Sequence, residues 1–200
     1  MRIGVLVSGA GTNLQAILDR VHGREGVEVA AVASDQPGAP ALARAARAGV
    51  PVGEFPAGTD RRVRDAAIAD FLDEHGVELV VLAGYMALLD PAFLSRFPGR
   101  VVNVHPALLP AFPGLRAIEQ ALDYGVKVFG VTVHFVDEGV DTGPVISQRA
   151  VELPDAVDPA AVREALRPLE HDLLCEAVVL IARGAVSIDP ARPRRVVVTR

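Results

Sequence analysis

The chain has 200 residues, half of them hydrophobic and 22% charged, a composition that excludes disordered and fibrous classes and leaves room for one large globular domain. A formal net charge of −5, with 20 basic residues scattered along the chain, argues against binding that blankets nucleic-acid phosphates. The single cysteine, Cys175, can form neither an internal disulfide nor a thiolate metal cluster, so a reducing, cytoplasmic setting is expected and a metal site is not.

The opening MRIGVLVSG leads straight into a glycine loop and does not read as a signal peptide. Short apolar runs ending in Gly, Ser or Asn, each followed by an Ala-rich amphipathic stretch, then recur to about Tyr124, which is the grammar of βαβ units on a parallel sheet. The strands expected are Ile3 to Val7, Val27 to Ala33, Val50 to Glu54, Val77 to Leu82 and Arg100 to Val104, all continuous apolar runs suited to burial on both faces. The helices between them are expected over Leu14 to His22, Ala41 to Ala48, Arg61 to His75, Pro91 to Phe97 and Ala117 to Asp123, with Asp60 and Asp90 as N-caps. Even VELVVLAGYMALLD is broken by Glu78, Gly84 and Asp90, so no stretch reaches the ~18 apolar residues of a membrane helix. After Gly125 the pattern changes. Lys127 to Val136 alternates, turn residues follow, and Val145 to Val151 is extended again, which suggests an antiparallel pair. A helix from Pro159 to Arg183 is expected to be kinked or interrupted at Pro168, and the closing ARPRRVVVTR to form a frayed or edge segment. No repeat or linker appears, so one domain over 1–200 is expected, with a nucleotide-binding half over about 1–100 and a catalytic half over about 101–200.

Three groups of residues carry chemistry. Ser8 to Asn13 follow the first strand and open the first helix, where unpaired backbone N–H groups suit a phosphate, through Gly11, Thr12 and Asn13. The other reading of this loop is a tight turn capped by Thr12 or Asn13. Asn103 and His105 stand two residues apart at the end of an apolar run, so a strand sends both side chains to one face at the carboxyl edge of the sheet. Asp141 lies in the turn after the alternating strand, where it either caps backbone N–H groups or takes part in catalysis. His134 reads as a structural polar side chain, and His22 and His75 end helices, where a cation suits the dipole. No G-x-S-x-G elbow and no metal-binding His spacing is present.

Taken together, SGAGTNL, NVHPALLPAFPG and GVTVHFVDEGVDTGPVI resemble the phosphoribosylglycinamide formyltransferases, and DFLDEHGVELVVLAGYMALLDPAFLSRFPGR and the Glu170-His171 pair extend the resemblance over nearly the whole chain. The resemblance implies a Rossmann-like α/β fold, mostly parallel, with an antiparallel C-terminal strand pair and flanking helices. It implies transfer of a formyl group from 10-formyltetrahydrofolate to the amine of glycinamide ribonucleotide, with no nicotinamide cofactor and no metal. Carried over, Asn103, His105 and Asp141 match the catalytic trio; Gly11, Thr12 and Asn13 match the phosphate loop; and Glu170 matches an acidic residue that holds ribose hydroxyls. Arg61, Leu82, Tyr85, Met86, Ala87, Leu88 and Leu89, with Val136, Asp137, Glu138, Gly139 and Val140, fall where the folate pocket is lined. Ala87, Arg116 and Arg167 depart from the usual Arg, His, and Gln or Lys, and Arg167 can still meet the substrate phosphate.

The chemistry agrees with that resemblance. An amine adding to a formyl carbonyl builds an oxyanion, which the Asn103 amide and a protonated His105 can stabilise, while Asp141 supports the imidazolium and holds a water that relays a proton. The alternatives are a formyltetrahydrofolate hydrolase, which normally carries an extra N-terminal domain, the longer methionyl-tRNA formyltransferase, and a non-catalytic nucleotide-binding regulator. The partners expected are small molecules, not nucleic acid or membrane, with the oligomeric state, monomer or homodimer, left open.

Overall fold

In β1 (Arg2–Val7), Ile3, Val5, Leu6 and Val7 are wholly inaccessible, as befits a strand covered on both faces. The computed structural model describes every residue except Ala57, Thr59 and Arg200, and the chain divides into two compact units, Met1–Asn103 and Val104–Arg200.

In the first unit β1 pairs in parallel with β2 (Glu28–Ser34) on one side and β4 (Leu79–Leu82) on the other. β3 (Val52–Glu54) adds to β2, and β5 (Val101–His105) adds to β4, so the order is β3-β2-β1-β4-β5. The helices α1 (Thr12–Arg20), α2 (Pro40–Arg47), α3 (Arg61–Glu74) and α4 (Pro91–Arg96) alternate with these strands. Asp60 and Asp90 cap α3 and α4 through the N–H groups of Arg62, Val63 and Ala92, as their position before each helix predicts.

Two strands begin later than their apolar runs do, for one reason. Val50 and Val77 each follow a left-handed glycine, Gly49 or Gly76, and donate to Ala45 and Leu72 at 3.0 and 3.1 Å. They close the helices before them in Schellman fashion, and their apolar side chains serve that closure and not the strand. α1 starts two residues before the expected Leu14 because Gly11, in left-handed conformation, is its N-cap and no side chain caps it. Neither Thr12 nor Asn13 is therefore the capping residue.

The second unit contains α5 (Ala117–Tyr124), the antiparallel pair β6 (Val128–Phe135) and β7 (Val145–Glu152), and α6 (Pro159–Ala182), which packs on both strands. Val131 and Val133 of β6 and Leu166, Leu174 and Val178 of α6 are fully buried. Of the kink or interruption expected at Pro168, the interruption does not occur: α6 continues through the proline, with Leu166 buried before it and Leu173 and Leu174 after it. Of the two readings of the basic terminal stretch, the edge one holds: β8 (Val186–Ile188) and β9 (Val196–Val198) pair as an antiparallel hairpin. Thr132 anchors the loop that follows β5. Its hydroxyl donates to the Ala107 carbonyl at 2.6 Å and accepts from the Leu109 N–H at 3.1 Å and from Gln148 Nε2 at 2.9 Å.

Candidate active site

The loop after β1 is built by packing as much as by its exposed donors. A Cβ on Gly11 would lie 2.5 Å from Ala41 Cβ and 2.9 Å from Ala41 Cα, and Gly11 has φ +73°, so glycine is required there by α2 whatever the loop binds. Arg44 of α2 braces the loop, donating to the Ala10 carbonyl at 2.8 Å and to Gln15 Oε1 at 3.1 Å. The first turn of α1 holds no acidic residue, so no side-chain carboxylate offsets the positive end of the helix dipole.

Ser8 ties this loop to the segment after β4. Its hydroxyl donates to Asp35 Oδ1 at 2.5 Å and accepts from the Met86 N–H at 2.8 Å, while the Ser8 N–H reaches the Gly84 carbonyl at 3.1 Å. The same segment is pinned from α3 by a buried ion pair. Arg64 binds Asp65 at 2.7 Å and donates to the Leu88 carbonyl at 3.1 Å, and Asp65 Oδ2 accepts from the Asp90 N–H at 2.6 Å. Arg61 lies 3.6 Å from the Asp90 carboxylate. Within this segment Leu82 and Tyr85 are buried, Ala87 and Leu89 half-buried, and Met86 and Leu88 project with 61% and 58% of their surface exposed. Burial pushes the Tyr85 phenol well above its usual range, a shift that the charge of Arg64 opposes, and its hydroxyl has no hydrogen-bond partner among the described residues.

β5 carries Asn103, half-buried at the end of the first unit, and His105, buried at the start of the second. Their spacing on one strand turns both side chains to the same face. His105 Nε2 lies 2.8 Å from the Phe112 carbonyl, which can only accept, so this nitrogen carries a proton. His105 Nδ1 lies 3.3 Å from Asp141 Oδ2. Both ring nitrogens thus face acceptors, an arrangement satisfied by a ring protonated on both.

Asp141 is central to this cluster. Its Oδ2 accepts from the Gly114 N–H at 2.7 Å, its Oδ1 lies 3.5 Å from His134 Nε2, and its backbone is left-handed at φ +52°. Burial would raise this carboxyl, but the hydrogen bond from His134, the Gly114 N–H and the charges of His105 and His134 outweigh it and hold it down to about 2. His134, read from the alternation as a structural polar side chain, is buried and lies within reach of this carboxylate. The pairing of β6 with β7 shifts by one residue between Val133 and His134, the unpaired residue being Ile146 of β7, and nothing in an alternating sequence announces that shift.

The remaining expected residues fall in distinct roles. Asp137 shapes its own loop by accepting from the Gly139 N–H at 3.1 Å and the Thr142 hydroxyl at 2.6 Å, while Glu138, Gly139 and Val140 are exposed and Val136 half-buried. Arg167 and Glu170 are three residues apart on α6 and so neighbours on its surface, and the Arg167 guanidinium is engaged by Glu164 at 2.8 Å. Arg116 is the left-handed N-cap of α5. His22 and His75 serve local structure, bonded to the Val29 N–H and the Phe71 carbonyl. Among the described residues no group of three or more His, Cys, Asp or Glu is placed to hold a metal ion, and no helix is long and apolar enough to cross a membrane.

The first unit thus presents Asn103 at the end of its parallel sheet, and the second gathers His105, Asp141 and His134 into one cluster. Residues 1–178 match the family model described as formyl transferase, and the chain belongs to that family. It is 43% identical over 192 residues to phosphoribosylglycinamide formyltransferase of Mycobacterium tuberculosis, covering 94% of this chain and 87% of that protein. It is 40% identical to the trifunctional purine biosynthetic protein adenosine-3 of Drosophila melanogaster, matching 94% of this chain but spanning only 14% of that longer protein. The crystal structure of glycinamide ribonucleotide transformylase 1 from Symbiobacterium toebii superposes with a TM-score of 0.95 at 48% identity, over 100% of this chain and 94% of that one.

Proposed function

We propose that this protein transfers the formyl group of 10-formyltetrahydrofolate to the amine of glycinamide ribonucleotide, a step of purine biosynthesis, in the cytoplasm and with small-molecule partners alone. The observation that carries the reading is the placement of His105, with an acceptor on each ring nitrogen and Asp141 as one of them. The formyl donor brings a carbonyl activated toward amines. Its flat ring system suits Met86 and Leu88, which expose apolar side chains on a backbone held by Ser8 and by the Arg64–Asp65 pair.

Each residue then has a task. Negative charge grows on the formyl oxygen as the amine adds; the Asn103 amide donates to it and the positive charge of the His105 imidazolium stabilises it. Asp141, ionised far below neutral pH, faces His105 Nδ1 and orients a water that relays the amine's proton to the folate nitrogen as the bond from that nitrogen to the formyl carbon breaks. The α1 N-terminus takes the ribonucleotide phosphate with Gly11, Thr12 and Asn13, Arg44 adds positive charge beside it, and Glu170 holds the ribose hydroxyls. Arg167 can contribute to phosphate binding by sharing its guanidinium with Glu164.

The test is incubation with 10-formyltetrahydrofolate and glycinamide ribonucleotide, following deformylated folate and formylated amine separately. Equal appearance of both is expected. Release of formate with no formylated amine would overturn the reading in favour of hydrolysis.

A further inference from the structure

The basic terminal stretch reaches the loop that carries Asp141. Arg194, in the turn between β8 and β9, donates to the Thr142 carbonyl at 2.9 Å. Its neighbour Arg195 forms a parallel bridge with Val145, the first residue of β7. The two contacts bracket the backbone from Thr142 to Val145.

Arg194 is presented by a closed turn and not by a loose arm. The Asp189 N–H donates to the Arg195 carbonyl at 2.9 Å, the Asp189 carboxylate accepts from the Ala191 N–H at 2.9 Å, and the Arg195 N–H returns to the Arg192 carbonyl at 2.7 Å. The Thr199 N–H reaches the Ala185 carbonyl at 2.9 Å and closes the open end of the hairpin.

The loop on the receiving side needs such a hold. Asp141 has φ +52°, a conformation that a residue other than glycine keeps only where its surroundings over-determine it. Asp137 holds the Thr142 hydroxyl, and the Phe135 N–H holds the Pro144 carbonyl at 2.9 Å. The peptide joining Thr142 to Gly143 is the one that Arg194 grips.

We propose that Arg194 is a positioning residue for formyl transfer: from the C-terminal hairpin it fixes the Thr142 peptide and thereby the angle at which the Asp141 carboxylate meets His105. This rests on Asp141 acting in the reaction as described above. The hairpin follows residue 178, where the match to the family model ends, while the superposition on the Symbiobacterium toebii structure covers the whole chain.

The decisive variant is Arg194→Met, which keeps an unbranched stem and removes the donor, while the Arg195 bridge and the turn bonds remain. Steady-state kinetics are measured beside titration of the Asp141 carboxyl by carbon-13 NMR. The expected result is a fall in kcat of about tenfold, since slight misplacement of a catalytic group costs more than its contact. KM for the ribonucleotide stays near its parental value, and the Asp141 midpoint moves upward. Arg194→Lys should restore part of both readouts, and Arg192→Met, in the same turn, should change neither. Parental kcat and an unmoved Asp141 midpoint in Arg194→Met overturn the clamp even if the melting temperature falls, as do equal losses in Arg192→Met. Should the parent protein itself fail to formylate the amine, the function fails while the titration still decides whether Arg194 positions Asp141.

Discussion

His134 Nε2 stands 3.5 Å from Asp141 Oδ1, the oxygen of that carboxylate turned away from His105. With 2% of its side chain exposed, His134 meets no ligand from solvent and acts through the carboxylate. His134→Phe fills the space with an apolar ring and removes the largest of the influences that lower Asp141. The Asp141 carboxyl should rise from about 2 toward or past the ordinary 3.8, because burial then faces less opposition. Carbon-13 titration reads this directly, and an unmoved midpoint would assign the lowering to the Gly114 N–H.

Asp141→Asn tests the same group through stability. The folded value of about 2 lies below the ordinary 3.8, so the stabilisation is fully present above pH 4 and is lost as pH falls through 2. It amounts to on the order of 2 kcal/mol. Asparagine tolerates the left-handed backbone, so the variant should fold, be less stable than the parent at pH 7, and converge with it between pH 4 and 2. Urea unfolding across that range checks the convergence, and turnover at neutral pH should fall by about 10²–10⁴.

Asn103→Ala removes a donor, and His105→Ala a positive charge, required mainly as negative charge develops. Each should lower kcat by about 10²–10³ with little change in ribonucleotide affinity, measured by single-turnover rates and calorimetric binding. Comparable losses in rate and affinity would make the pair a binding element instead.

The strands were legible because a strand covered on both faces leaves an unbroken apolar run, as β1 does. Asn103 and His105 were legible because a spacing of two on a strand survives any tertiary detail. What escaped depended on contacts between residues far apart in the chain. Nothing local marks the register shift at His134 or the reach of Arg194 to Thr142. Val50 and Val77 read as strand because helix closure and strand both call for an apolar residue after a glycine. Gly11 was read as room for a phosphate, while Ala41 shows that its lack of a side chain also serves helix packing. Substitution at Gly11 therefore perturbs the fold and the ligand together.

Gly143 and Gly139 look alike in sequence and differ in what surrounds them. A Cβ on Gly143 collides with the Phe135 carbonyl, part of the sheet backbone, whereas one on Gly139 meets the Thr142 hydroxyl, which can rotate away. Gly143→Ala should destabilise by more than ~3 kcal/mol, in the range of severe core lesions. Gly139→Ala should cost about 1 kcal/mol, the bond from Thr142 to Asp137. Thermal and urea unfolding of the two variants compare them.

Arg64 and Asp65 have 5% and 1% of their side chains exposed, so losing either strands the other. Arg64→Met should cost about 3–5 kcal/mol. Arg64→Met with Asp65→Asn should recover most of it, since asparagine can still accept from the Asp90 N–H without a buried charge. Denaturation midpoints of the single and double variants measure the recovery.

The Thr132 hydroxyl has one proton and two lone pairs, and Ala107, Leu109 and Gln148 take all three. The Leu109 amide belongs to a stretch with no helix or strand, yet its acceptor sits in the middle of β6. Its proton should therefore exchange with solvent on the slow clock of the β6–β7 ladder and not on the fast clock of a surface loop. The segment that links His105 to Gly114 is rigid by inheritance from the sheet.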